Sequence, residues 1–194
     1  MRFTRHTVFL TLTAVLLAPA AHAQDRSNSR LLGKIESING TAMTVKTATA
    51  VKEVNLLPTA KVYAQVKATL ADIKPGVFVG VGAMPQEDGS QQAIRVMIFP
   101  EAMRGQGEGH RPWDRPGTTM TNATVETAVT NVSGQALMVK YKDGEKKILV
   151  KPGAEILTYV DGDRKELKPG VTITASGSVK AGGAMDADRI VVTR

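Results

Sequence analysis

One segment of this chain is written twice. Residues 35–99 fall on residues 129–193 when shifted forward by 94 positions, and roughly 15 of the 65 pairs are identical. The identities include turn residues as well as apolar ones. Gly40 falls on Gly134, Pro58 on Pro152, Lys74-Pro75-Gly76-Val77 on Lys168-Pro169-Gly170-Val171, and Arg95 on Arg189. Other pairs swap like for like, such as Val54 with Ile148, Ile73 with Leu167 and Val79 with Ile173. Self-similarity of this period marks a duplicated folding unit. The chain is therefore confined to folds that a unit of about 70 residues can adopt twice, with the copies leaning on each other because so small a core is marginal alone.

Within each copy the pattern is β. Val77, Val79, Val81 and Ala83 alternate after Pro75-Gly76, as do Ile94, Val96 and Ile98, and Val171, Ile173, Ala175 with Ile190, Val192 repeat the alternation. Period two over short runs predicts half-buried strands. Turn dipeptides recur between them: Asn39-Gly40, Asp88-Gly89, Ser133-Gly134, Asp143-Gly144 and Asp161-Gly162, which supply the positive φ angles of tight hairpins. No long 3.6-residue period is present, and residues 66–73 allow one helical turn at most. Short strands in this number hide their edges by closing into a barrel. The expected fold is all-β: two tandem small OB-like β-barrels related by an internal repeat at offset 94, with a two-sheet sandwich as the alternative.

The ends of the chain and its composition set the compartment. Residues 1–23 read as a signal peptide: Arg2 and Arg5 make a positive n-region, residues 7–18 an apolar core, and Ala21-His22-Ala23 a small-x-small cleavage site before Gln24. The apolar stretch falls short of the roughly 20 residues that cross a bilayer. Its removal from the 194 residues leaves a mature form of 171, expected in the periplasm or secreted, and not an integral membrane protein. Loss of Arg2 and Arg5 lowers the formal charge from +7 to +5, a basic bias that favours anionic partners without dictating the fold. With no cysteine, disulfides, thiolate catalysis and cysteine-held metal centres are excluded.

The layout of strand, Asn-Gly, strand, then Leu…Lys-Pro-Gly-Val and a closing Arg-Ile-Val-Val strand resembles tandem bacterial exported domain-of-unknown-function modules. It is carried by Gly40 and Gly134, residues 70–79 against 164–173, and residues 95–98 against 189–192. Residues 99–123 resemble an uncharacterised proteobacterial subset of these modules. The resemblance implies small OB-like β-barrels. Some members carry a metal-transport label, although no segment of this chain after the signal peptide has the length of a membrane helix.

The copies do not account for residues 100–122, which separate a first barrel at 31–99 from a second at 123–194. This insert holds the sole Trp of the chain, Trp113, and the sole His of the mature form, His110. Its glycines and prolines predict irregular structure, and long irregular segments in compact proteins are commonly functional. Met103, Arg104, Glu108, His110, Arg111, Trp113 and Asp114 are the candidate binding residues. The expectation is that Trp113 plugs the groove between the barrels and turns His110, Arg111 and Arg115 toward one face, while Met103 and His110 matter little to stability. Met103, His110 and Met120 are ligand types that suit Cu(I), though their spacing matches no established metal site.

Catalysis lacks its usual parts. One His in a Gly/Pro loop and no G-x-S-x-G elbow leave no visible triad, and no carboxylate pair stands out. The basic hairpin at 140–147 has one aromatic, Tyr141, too few for a stacking surface, so no nucleic acid is expected as partner. The sequence thus predicts a non-catalytic binding or adaptor protein for an unknown protein or small ligand. A periplasmic copper- or nickel-handling accessory protein is the alternative.

Overall fold

The computed structural model describes residues 29–194. The signal peptide and cleavage site expected at residues 1–23 lie outside the described residues. Twelve strands follow in order: β1 (Ser29–Asn39), β2 (Ala42–Lys46), β3 (Val51–Lys67), β4 (Phe78–Pro85), β5 (Gln91–Phe99), β6 (Gly109–Pro112), β7 (Thr119–Asn131), β8 (Gly134–Tyr141), β9 (Gly144–Val150), β10 (Glu155–Asp161), β11 (Thr172–Val179) and β12 (Met185–Thr193). Three single 3-10 turns lie at Leu70–Asp72, Glu101–Met103 and Arg164–Glu166. Among the described residues no helix is long and apolar enough to cross a membrane. The chain is mostly β and closes a barrel.

The closure crosses the boundary between the two halves of the chain. β1, β2 and β3 form an antiparallel meander, β3 pairs in parallel with β12, β12 with β11, and β11 returns to β1. This ring takes three strands from the first half and two from the second. A second cycle of pairings runs through β4, β5, β9, β8 and β7, its β5–β9 contact being Gln91↔Ile148 and Gln92↔Leu149. The expectation that 31–99 and 123–194 each close on themselves is therefore corrected. After β3 the chain leaves the first ring and delivers β4 and β5 to the second, and after β10 it does the reverse.

Each ring encloses its own core. Ile35, Val45, Val54, Ile173, Ala175 and Ile190 lead one cluster; Val79, Val81, Val96, Val125, Leu137, Val139 and Ile148 lead the other. The alternation read along the sequence is this inward face: Val79, Val81 and Ala83 are fully buried, as are Ile173 and Ala175.

The pairings also correct the gapless alignment. From β2 and β8 onward the register recurs at 94, as in Met185↔Val54 against Gln91↔Ile148. In the first strand it recurs at 90. Ile35 pairs with Val45 before a bulge, and Val125 pairs with Val139 before a bulge. Val125 is buried like Ile35, while Val129, which the 94-residue shift set on Ile35, is 62% exposed. The β7–β8 hairpin is longer by two residue pairs and turns at Val132-Ser133, so Gly134 is not the counterpart of Gly40.

Candidate functional site

Where the two rings meet, β3 and β10 pair antiparallel and bring an aromatic row to the boundary. Phe78, Phe99, Tyr159 and Tyr63 follow one another with ring centroids 5.7, 5.8 and 6.4 Å apart, all tilted. Tilted edge-to-face packing is the favoured geometry for aromatic pairs. Tyr63 also meets Met103 and Val191 in a third small core. The boundary is thus a packed floor.

The insert is fastened over this floor. Pro100 precedes the 3-10 turn Glu101–Met103, which drives Met103 inward to 2% exposure. Arg104 grips Glu101 with Nε and Nη2 at 2.6 and 2.7 Å and donates from Nη2 to the Gly76 carbonyl at 2.8 Å. Asn122 Nδ2 donates to the Gln106 carbonyl at 2.9 Å, and Glu108 accepts from the Lys142 N–H at 3.0 Å. Residues 109–112 then form β6, an added strand on β7. The expected irregular insert is corrected: glycines at 105, 107 and 109 make positive-φ corners, but the backbone between Gly109 and Pro112 finds a ladder on β7. Residues 119–122, assigned to the insert, belong to β7 itself.

A groove opens between this strap and the floor. It consists of two adjoining cavities of about 610 and 430 Å³ that share Arg30, Phe99, Arg111, Asn122, Tyr159 and Thr174. Arg95 borders the first and Arg189 the second, so four guanidiniums face one cleft against a single lining acid, Asp114. Arg95 is paired with Glu155. Arg189 stands at the corresponding place opposite Lys61, where no acid is available, and donates to Gln106 Oε1 instead. Arg111 donates to the Gly107 carbonyl at 2.8 Å. Burial pushes the Tyr159 phenol up, while the charges of Arg30, Arg189 and Arg95 pull against that shift. Their convergence on one ring makes the positive field of the groove explicit.

Trp113 forms one wall. Its indole lies against Gly82 of β4, where a Cβ would overlap the ring, and the backbone around it closes through Trp113 N–H to Thr118 O at 3.0 Å. The ring is half-buried and borders the larger cavity. It therefore lines the groove; the plug predicted for it is the Met103 side chain. His110 and Arg111 do not share a face, because neighbours in a strand point oppositely. His110 takes the outer side of β6, with Nδ1 2.8 Å from Thr121 Oγ1 and its ring stacked on Tyr141 at 6.4 Å. Burial, with Lys146 nearby, holds its imidazole below the usual histidine range. Arg115 lies past Trp113 in the turn that closes on Thr118.

Of the seven candidate residues, Arg111, Trp113 and Asp114 reach the larger cavity, and Met103 borders the smaller one from the core. Arg104 is a strap, while Glu108 and His110 flank a third hollow of about 370 Å³ with Tyr141 and Asp143, which Arg111 also borders. Met103, His110 and Met120 lie in three places: core, outer face and groove wall. The sequence reading missed Arg30, Arg95, Arg189, Asn122 and Tyr159. The matched pair Arg95/Arg189 was the one available signal. Comparison with protein-family models, with curated proteins and with solved structures gives no match.

Proposed function

We propose that this chain is an exported, non-catalytic binding or adaptor protein of the periplasm, in which two duplicated OB-like barrels and the strap between them form one groove for an anionic ligand. The observation that supports this most strongly is the gathering of Arg30, Arg95, Arg111 and Arg189 around a cleft with one lining acid. Arginine presents a planar fork that matches carboxylate, sulfate and phosphate oxygens. Among the described residues Arg30 has no ion pair or hydrogen bond to another side chain, which leaves it available to a ligand. A pocket of several hundred Å³ with aromatic walls and a few convergent polar groups is the usual form of a small-ligand site. Duplication accounts for Arg95 and Arg189 standing on equivalent strands, and for the recurrence of the pairings of β2, β3 and β12 in β8, β9 and β5.

The test uses Trp113, the sole indole, as reporter. Titration of the mature protein with tetraglutamate at low ionic strength should shift its emission, and added salt should weaken the response as the charges are screened. Arg30→Glu combined with Arg189→Glu should abolish the shift with the far-ultraviolet circular dichroism unchanged. An emission indifferent to polyanions in the native protein overturns the reading.

A further inference from the structure

We infer that the ligand of this groove is an acidic glycan, a short chain of sugar rings bearing carboxylate or sulfate groups. The inference rests on the groove being an anion site and names what else the ligand must carry.

The first requirement is length. The two cavities adjoin through six shared residues and together offer room for more than one sugar ring. Arg95 sits at one cavity and Arg189 at the other, with Arg30 and Arg111 bordering both. Spaced guanidiniums suit spaced anionic groups, where a single compact anion would engage only one end.

A second requirement comes from Trp113. The benzo part of its indole lies flat over Gly82, which fixes the ring as a wall and leaves its remaining surface to the larger cavity. A broad, rigid, partly apolar face with a polar rim fits the C–H face of a sugar ring. A flexible acidic peptide has no such rigid face to lay on it. Single-stranded nucleic acid needs successive stacking platforms, and here Phe99 and Tyr159 are tilted at 54° to each other rather than set out as parallel platforms.

Asn122 adds a third. Its Nδ2 is committed to the Gln106 carbonyl, which leaves Oδ1 as the acceptor, set over Gly80 of β4 where that glycine lines the larger cavity. That oxygen is buried and has no partner among the described residues, in a side chain 7% exposed that borders both cavities. A buried acceptor left unpaired is costly. An anionic oxygen cannot donate to it, whereas a sugar hydroxyl can. Guanidiniums for the acid, an indole for the ring and an amide oxygen for the hydroxyl are met together by an acidic sugar.

Calorimetric titration of the mature protein with matched probes decides it. Tetragalacturonate should bind about tenfold more tightly than tetraglutamate of the same nominal charge, and more tightly than neutral maltotetraose or a tetrathymidylate. A sulfated tetrasaccharide run in parallel distinguishes carboxylate from sulfate as the acidic group. Trp113→Ala and, separately, Asn122→Leu, which removes the acceptor without adding charge, should remove most of the preference for tetragalacturonate while tetraglutamate affinity changes by less than about twofold. Equal affinity for tetragalacturonate and tetraglutamate, or a preference for the oligonucleotide, overturns the glycan inference and leaves the anion groove standing. Binding of maltotetraose as tight as that of tetragalacturonate, or no binding of any anion, overturns both.

Discussion

Met103 and Trp113 show how much of this protein is decided by where a side chain ends up. Met103 reads in the sequence as a soft ligand in a loose loop. One 3-10 turn delivers it into a pocket with Tyr63 and Val191, where it is 2% exposed. Truncating a buried Met removes its transfer energy and leaves a cavity. Met103→Ala should therefore lower unfolding stability by about 2–5 kcal/mol, measured by urea titration. A change below about 0.5 kcal/mol, the range of ordinary surface substitutions, would mean that the strap is not anchored there. Trp113, the residue predicted to anchor, is half-buried on the groove wall.

At the scale of elements, the Lys-Pro-Gly turns join the halves. Gly76 N–H donates to the Val125 carbonyl and Gly170 N–H to the Ile35 carbonyl, both at 2.8 Å, and Val77 and Val171 return bonds with the same strands at 2.9 Å. Each turn thus fixes the crossing chain onto the first strand of the opposite half. Gly76 and Gly170 have φ of 87° and 90°, and a Cβ on either would meet no atom within 4 Å. Their substitution cost is accordingly backbone strain alone. Gly76→Val and Gly170→Val should each destabilise by about 1–2 kcal/mol, and by matching amounts, in thermal or denaturant unfolding. A difference between them larger than about 1 kcal/mol would show that the two turns are not equivalent.

For the whole molecule, interleaving predicts cooperativity. Neither half contains the strands of a complete ring, since β4 and β5 serve the second and β11 and β12 the first. Unfolding either ring strips the other of two strands. The protein should unfold in one transition, with near-ultraviolet dichroism and Trp113 emission coincident, as two-state behaviour requires. Two separable transitions would mean that the rings are independent units and that the crossing strands contribute little.

The strands, their inward faces and most of the positive-φ turns were legible because they depend on neighbours in the chain: alternation at residues 77–83 and 171–175 and glycine after Lys-Pro are local facts, whereas Gly162, expected to turn with positive φ, does not. The likeness of residues 35–99 to residues 129–193 was legible too, but the register of the first strand was not. A longer β7–β8 hairpin shifts Val125 into the place of Ile35, and only the cross-strand pairing with Val139 reveals it. Which ring each strand joins was decided by tertiary structure, because a half that closes on itself and a half that exchanges its last two strands share one hydrophobic pattern. The groove follows from that exchange. Arg30 and Arg189 come from opposite ends of the chain, Arg95 and Arg111 from its middle, and no spacing in the sequence brings them together. The sequence by itself determined what each segment can be, through bonds and sterics that act over a few residues. The tertiary structure decided which segments meet, since hydrogen-bond closure of a sheet edge is satisfied only in three dimensions.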